Sequence, residues 1–223
     1  MARGRRERDE RGVRGARDRK SASRGWAARY RCWRARPGGR RMARVFLSVG
    51  SNLGDRLECL RRAIAELSAL PGIDFLGASG LYRTEPWERR PGQQPDEGTW
   101  FFNCAVSIET TLAPSVLLAR IQEVEKKLGR QRGRGTPEDQ RYEARSLDID
   151  ILLYGDLVIS GPDDLHIPHL LMHERRFVLQ PLAELAADIE HPVLYQTIAE
   201  LLHALEDEHR IVDLDMPRRW FER

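Results

Sequence analysis

The sequence predicts an α+β fold of the ferredoxin-like kind, with an antiparallel sheet built in the order β-α-β-β-α-β and an added C-terminal helical segment. Several stretches alternate apolar and polar residues at the period of a strand, and two longer stretches carry apolar residues at helical spacing. Clusters of Gly, Pro and Asn separate these stretches along the chain. We therefore expect an antiparallel sheet with both helices on one of its faces.

The first half of the fold begins with alternating residues 44–49, which predict a strand that ends at Gly50-Ser51-Asn52. Asp55 is placed to cap a following helix, because a side-chain oxygen there can accept from a backbone N–H of the first turn. Pro71-Gly72 ends that helix, and residues 73–82 have the composition of a further strand.

The second half opens with residues 83–99, a long loop rich in Pro, Gly and Gln that we interpret as a lid. Residues 101–109 alternate cleanly and predict a strand that places Phe101 and Asn103 on one face. A second helix begins at Pro114, and a basic, glycine-containing loop over residues 129–144 follows it.

Two carboxylates then stand two residues apart in the apolar run Leu147-Asp-Ile-Asp-Ile-Leu-Leu. In a strand, residues two apart share a face, so Asp148 and Asp150 point the same way. Like charges this close repel unless a cation bridges them, and oxygen ligands suit Mg²⁺ that carries a phosphate-bearing substrate. A strand with one wet face gives the same pattern, so the pair alone does not establish a metal site.

The charge of the chain is divided unevenly. Residues 1–41 hold fifteen Arg and one Lys against four acids, a balance of +12 within a whole-chain charge of +3, which leaves −9 for residues 42–223. The arginine-rich extension lacks periodicity and aliphatic content, so we expect it to be disordered, with Met42 as a possible true start. It could also be a nucleic-acid-binding arm or a targeting peptide. Residues 42–223 are expected to form a single domain.

The three cysteines, at positions 32, 59 and 104, have neither disulfide-framework nor zinc-site spacing, which fits a reducing, cytoplasmic location. No apolar run approaches the length of about 20 residues that a membrane-spanning helix needs. The histidines at 166, 169 and 173 do not match a standard zinc pattern, because Pro168 interrupts them.

Five ordered motifs, spread from about Arg44 to Leu185, together resemble the 6-hydroxymethyl-7,8-dihydropterin pyrophosphokinases of folate biosynthesis. These motifs are Gly50-Ser-Asn-Leu-Gly-Asp55, Leu81-Tyr-Arg-Thr84, Phe101-Phe-Asn103, Arg145-Ser-Leu-Asp148-Ile-Asp150 and Leu165-His-Ile-Pro168-His169. The resemblance implies a diphosphotransferase, in which the hydroxymethyl oxygen attacks the β-phosphorus of ATP and AMP leaves.

The resemblance also implies the site residues. Two Mg²⁺ ions bound by Asp148 and Asp150 would bridge the triphosphate. The catalytic set is Arg130, Arg132, Arg145, Asp148 and Asp150. The ATP-binding set is Gln122, Glu125, Arg132, Ile151, His169 and Arg175. The pterin-binding set is Thr84, Glu85, Phe101, Asn103, Tyr142 and Phe177. Gly50–Asp55 is interpreted as a support beneath these sites, and the loop that carries Trp87 is longer than is usual in the family.

Two other functions remain open at the level of sequence. An arginine-rich arm beside a ferredoxin-like fold is typical of RNA-recognition modules, although no strand here carries their aromatic motif. Paired aspartates with Mg²⁺ would equally serve a metal-dependent nuclease. We expect ATP and the dihydropterin as partners, a monomeric chain, no membrane, and contact with nucleic acid only through the arginine-rich extension.

Overall fold

In the computed structural model, the described residues form a seven-stranded antiparallel sheet that carries helices on both faces. The structure describes residues 33–35, 41–87, 96–129, 146–160 and 165–222. In chain order the elements are β1 (Trp33–Ala35), β2 (Arg41–Ser51), α1 (Arg56–Ser68), β3 (Ile73–Ala78), β4 (Tyr82–Thr84), β5 (Phe101–Thr110), α2 (Pro114–Lys127), β6 (Asp148–Tyr154), β7 (Ile159–Ser160), β8 (His166–Ile167), α3 (Arg176–Ala186), α4 (Ile198–Ala204) and β9 (Ile211–Asp213). The strands lie in the order β1-β2-β5-β4-β9, with β3 paired to β5 and β6 paired to β2, while β7 and β8 pair separately.

The first two helices form where the local sequence predicts them. Asp55 caps α1, because its Oδ1 accepts a hydrogen bond of 3.0 Å from the backbone N–H of Glu58. Pro114 occupies the first turn of α2, where a backbone N–H has no helical partner in any case. Each helix buries one apolar stripe, which confirms the predicted spacing. None of the described helices has the length and apolar character needed to span a membrane.

The sheet has a hydrophobic core on each face. Helices α1 and α2 pack over one face, where Val45, Leu47 and Val49 are fully buried. Helices α3 and α4 pack over the other, against Phe46 and Ala105. The sequence predicts two helices on one face and an added helical segment, and the structure shows that this segment covers the second face.

Strand β4 is separate from β3, although the sequence predicts one continuous strand over residues 73–82. The pairing register shifts between Phe75 and Gly77, which marks a β-bulge. Ser79 then holds β5 with two hydrogen bonds of 2.9 Å, donating from its backbone N–H to the Ala105 carbonyl and accepting at Oγ from the Ala105 N–H. The chain then re-enters the sheet at Tyr82, where β4 pairs with the first residues of β5, whereas β3 pairs with its last ones.

Two short strands at the ends of the chain were not predicted. Residues of β1 pair with residues 41–43, although β1 lies inside the extension for which we expect disorder. Residues 1–32 and 36–40 lie outside the described residues. Strand β9 pairs with β4, beyond the segment that the sequence predicts to be helical. Each has only three residues, too few to show the alternation that identifies a strand.

Candidate active site

Antiparallel register places a row of residues across the sheet at one end. Asp148 on β6 lies opposite Gly50 on β2, and Gly50 lies opposite Asn103 on β5. Asn103 in turn lies opposite Tyr82 on β4. Directly opposite residues of paired strands point to the same face. Asp148 and Asn103 therefore share the face that carries α3, with the space over Gly50 between them.

Asp150 continues this row toward the middle of the sheet. It lies two residues after Asp148 and opposite Ser48. Both aspartates are partly exposed, whereas Ile149 between them is buried in the core beneath α1 and α2. The two carboxylates thus point to one face, as the alternation predicts.

Gly50 has no room for a side chain. A Cβ at this position would lie 2.4 Å from Oδ1 of Asn103. The Asn103 amide cannot easily retreat, because its Nδ2 donates a hydrogen bond of 2.6 Å to Thr84 Oγ1 and both side chains are buried. Glycine here lets the Asn103 amide oxygen approach the backbone of β2.

The turn after Gly50 braces the neighbouring segments. Ser51 Oγ donates to the Ser146 carbonyl at 2.6 Å, and Arg56 Nη1 donates to the Trp100 carbonyl at 2.6 Å. The Arg56 guanidinium also lies 4.4 Å from the ring centroid of Phe102. These contacts of Ser51 and Arg56 fix the segments that lead into β6 and β5.

Glu125 holds the strand that carries the aspartates. Its side chain is buried, at 3% exposure, and its Oε1 accepts a hydrogen bond of 2.8 Å from the Ile149 backbone N–H. Among the described strands, β6 pairs with β2 alone, so this N–H on its other side needs a partner from outside the sheet. Gln122 lies one turn earlier on α2 and is exposed.

His169 lies beside the aspartate row. Its backbone N–H donates to the Leu152 carbonyl at 3.0 Å, and its Nδ1 accepts from the Leu171 N–H at 3.2 Å. Burial lowers the pKa of His169 to about 4 together with the charge of Arg175, against the opposing charge of Asp148. The ring is therefore neutral at pH 7, with its proton on Nε2.

Arg175 connects His169 to an aromatic cluster at the start of α3. Its guanidinium carbon lies 5.7 Å from the ring centroid of Phe177 and 6.0 Å from that of Trp87. The Trp87 ring lies 6.2 Å from Phe177 and 4.8 Å from His209, at an angle of 33° to the His209 ring. The charge of Arg175 also lowers the pKa of His169, so the cluster lies on the side of the site where His169 lies.

Other predicted residues lie around the same row. Phe101 is partly exposed at the start of β5, opposite Thr84. Glu85 is buried and accepts a hydrogen bond of 3.2 Å from the Arg210 backbone N–H. The Ile151 side chain belongs to the core on the opposite face, which leaves only its main chain for a nucleotide. The remaining predicted residues, Arg130, Arg132, Tyr142 and Arg145, lie outside the described residues.

Sequence reasoning missed the part that Trp87 and His209 play in this arrangement. The sequence indicates that the loop carrying Trp87 is longer than is usual in the family, but nothing in it indicates the stacking partner of Trp87. His209 follows α4 in a segment with no periodic pattern, and it reaches the site through the unforeseen pairing of β9 with β4.

Among the described residues, no three His, Cys, Asp or Glu side chains are grouped so that they could hold a metal ion. Mg²⁺ in phosphate-handling sites is bound by one or two carboxylates, and substrate oxygens and water complete its octahedron. The partly exposed pair of aspartates on one face fits a site of that kind.

Comparisons with known proteins identify the family of the chain. A model of the 7,8-dihydro-6-hydroxymethylpterin-pyrophosphokinase (HPPK) family matches residues 46–187. The 2-amino-4-hydroxy-6-hydroxymethyldihydropteridine pyrophosphokinase of Methylorubrum extorquens is 39% identical over 165 residues, which cover 74% of this chain and 95% of that protein. The protein of the same description from Haemophilus influenzae is 37% identical over 174 residues, which cover 78% of this chain and 99% of that protein.

Solved structures support the fold. An HPPK-DHPS chain of Plasmodium falciparum, solved with pterin and p-hydroxybenzoate, matches with a TM-score of 0.54 and 18% identity. The match covers 73% of this chain but 41% of that longer one. The chain therefore belongs to the 7,8-dihydro-6-hydroxymethylpterin-pyrophosphokinase family, whose reaction is pyrophosphoryl transfer from ATP to the hydroxymethyl group of the dihydropterin in folate biosynthesis.

Proposed function

We propose that this chain carries out the transfer over Gly50, with ATP bound toward Asp148 and the dihydropterin bound toward Asn103. The observation that carries the proposal is that Asp148 and Asn103 flank Gly50 on one face of three adjacent strands. Two strand spacings amount to about 9–10 Å, which leaves room for the reacting groups of two substrates to meet between the side chains.

On the pterin side, Asn103 supplies recognition of the bicycle's amide edge. Its amide nitrogen donates to Thr84 and its oxygen lies against Gly50, so both donor and acceptor positions are fixed. Phe101 and Phe177 are partly exposed, as rings that stack on a flat ligand must be. Glu85 belongs to the same pterin pocket, and Tyr142 is assigned to this pocket by the family resemblance alone.

On the phosphate side, Asp148 and Asp150 hold two Mg²⁺ ions. When bound, Mg²⁺ neutralises phosphate charge and thereby favours attack of the hydroxymethyl oxygen on the β-phosphorus, with AMP as the leaving group. The chain itself positions the two carboxylates, because Glu125 secures the strand between them. A site held by strand pairing and a buried side chain needs little rearrangement when substrates bind.

The nucleotide is held by a cationic side chain and a neutral one. Arg175 is a fixed cation, and neutral His169 offers its Nε2–H to a phosphate oxygen. Gln122 is exposed on α2 beside Glu125, and Ile151 offers its main chain. Arg130, Arg132 and Arg145 are assigned to the phosphates by the resemblance, because guanidinium groups match phosphate oxygens in pairs.

We also propose a monomeric, cytoplasmic chain. The support for the location is chemical: Cys59 and Cys104 are free thiols, which fits a reducing compartment. The RNA-recognition alternative is disfavoured because it needs an open sheet face, and here α3 and α4 cover that face.

The experiment is a product assay in which Mg²⁺ and ATP are supplied with or without 6-hydroxymethyl-7,8-dihydropterin. We expect AMP and the pterin diphosphate to form in equal amounts, only with the pterin present. Asp148→Asn and Asp150→Asn should each reduce kcat by at least about a hundredfold, because each removes a metal ligand. Pterin-independent release of ADP, or cleavage of added polynucleotide at a comparable rate, would refute the proposal.

A further inference from the structure

Residues 205–213, here named the C-terminal strap, connect two parts of the structure that the proposed function assigns to the pterin pocket. The strap lies beyond residues 46–187, the part of the chain that the family model matches. It includes β9, and it contacts both the end of β4 and the beginning of α3.

The first contact fixes the segment that follows Thr84. Strand β9 pairs with β4, with Ile211 opposite Thr84. One residue further, the Glu85 N–H donates to the Arg210 carbonyl at 3.0 Å, and the Arg210 N–H donates to Glu85 Oε2 at 3.2 Å. The strap thus holds both the backbone and the carboxylate of Glu85.

The second contact fixes the start of α3, just before Phe177. Asp207 Oδ2 accepts a hydrogen bond of 2.9 Å from the Arg176 N–H, and the Arg176 guanidinium donates to the carbonyls of Asp207 and Leu205 at 3.3 and 2.9 Å. The N-cap residue of α3, Arg175, makes no side-chain capping bond, so Asp207 satisfies one of the free N–H groups of the helix, and its negative charge interacts favourably with the positive end of the helix dipole.

His209 joins these two contacts. The other carboxylate oxygen of Asp207, Oδ1, lies 2.6 Å from His209 Nδ1 and accepts from the His209 N–H at 2.9 Å. Only 2% of the Asp207 side chain is exposed, which makes it a rigid anchor. The imidazole held in this way lies against the Trp87 ring, with 4.8 Å between the two ring centroids.

We propose that Trp87 forms a further wall of the dihydropterin pocket and that His209, anchored by Asp207, is the residue that positions it. This inference rests on the proposed function, because Phe177, the neighbour of Trp87, is assigned to the pterin there. The large ring of Trp87 beside Phe177 narrows the pocket, so that it fits a flat bicyclic ligand. The stacked imidazole of His209 prevents the indole from rotating away.

The test is a double-mutant cycle on the full chain, using His209→Ala, Trp87→Ala and the double variant. Calorimetry would give the Kd of the dihydropterin with a non-hydrolysable ATP analogue present, and the Kd of the analogue alone. His209→Ala should weaken dihydropterin binding by about threefold to tenfold, the range of one aromatic contact, and leave analogue binding within about twofold. In the Trp87→Ala background the same substitution should have almost no further effect.

Two controls keep folding separate from positioning. His203→Ala removes an exposed histidine of α4 and should leave both Kd values unchanged. His209→Phe keeps a flat ring against Trp87 but loses the side-chain contact to Asp207, so it should restore only part of the lost affinity, whereas His209→Asn keeps a hydrogen-bonding group without the ring and should restore none.

Equal weakening of both ligands, additive effects in the cycle, or unchanged dihydropterin binding in a folded His209→Ala chain would overturn the inference. Any of these results can occur while the wild-type chain still forms AMP in a pterin-dependent reaction. Failure of that reaction in the wild type would instead refute the proposed function.

Discussion

At the scale of single residues, the site depends on one position without a side chain and on one histidine without a charge. Gly50 is required because the Asn103 amide oxygen occupies the volume of its missing Cβ. His169 is neutral because burial disfavours its cation. The paired aspartates were predictable from a two-residue period, but the close approach of Asn103 to Gly50 depends on strand pairing and was not.

Gly50→Ala should displace the Asn103 amide. We expect the variant to lose about 1–3 kcal/mol of unfolding free energy, as overpacked sites do, and to bind the dihydropterin at least about tenfold more weakly. Urea unfolding and calorimetry measure the two effects. In an Asn103→Ala background the added methyl group has no amide to displace, so the stability loss should largely disappear. An equal loss in both backgrounds would show that the contact with Asn103 is not the cause.

The lowered pKa of His169 should make the metal-free protein less stable in acid. The unfolded histidine titrates near 6.5 and the folded one near 4, so the unfolded state binds more protons between these values. Stability should therefore fall as the pH drops from about 6.5 toward 4, by about 1 kcal/mol at pH 5 after allowance for partial exposure. Urea unfolding at pH 7 and pH 5 in EDTA would measure this loss. His169→Gln should reduce the loss, and identical pH slopes in the two proteins would contradict the account.

At the scale of elements, β6 is the strand that carries the two aspartates. A side chain of helix α2, rather than another strand, provides the hydrogen-bond partner for the outer edge of β6. Asp55 and Pro114 mark the starts of α1 and α2 in the sequence, because helix capping depends on residues that are close together in the chain. The hydrogen bond from Ile149 to Glu125 joins residues that are far apart in sequence. Strand β9 has only three residues, too few to give a periodic signal. These features could not be predicted from local pattern.

Glu125→Ala should expose the dependence of β6 on α2. It leaves the Ile149 N–H buried without its partner, which should cost about 1–3 kcal/mol of unfolding free energy. Glu125→Gln keeps an acceptor oxygen and should lose less. Glu123→Ala, an exposed change on the same helix, should stay within about 0.5 kcal/mol of wild type in urea unfolding. A Glu125→Ala protein as stable as Glu123→Ala would disprove the proposed support.

At the scale of the whole molecule, the sheet separates two hydrophobic cores. The site lies on the face of the sheet that α3 and α4 cover. The order of the first six main elements was predictable from periodicity. Coverage of the second face was not, because an amphipathic helix does not reveal which face of a sheet it will meet. That coverage places Phe177 on the face of the sheet to which the aspartates point, with Arg175 beside it.

The arginine-rich extension should be dispensable for catalysis. A chain that begins at Met42 loses the pairing of β1 but keeps every described residue of the proposed site. We expect its kcat and both KM values to stay within about twofold of the full chain in the AMP assay. A large rise in the KM of ATP alone would show that the extension takes part in nucleotide binding.

The central claim is that Asp148 and Asp150 together hold the metal ions that carry the phosphates of ATP. Titration with Mn²⁺ in place of Mg²⁺, followed by electron paramagnetic resonance with a non-hydrolysable ATP analogue and the dihydropterin present, counts the bound ions directly. The account predicts two ions per chain in the wild type and loss of that stoichiometry in a folded Asp148→Asn/Asp150→Asn double variant. Two tightly bound ions in the double variant would contradict it.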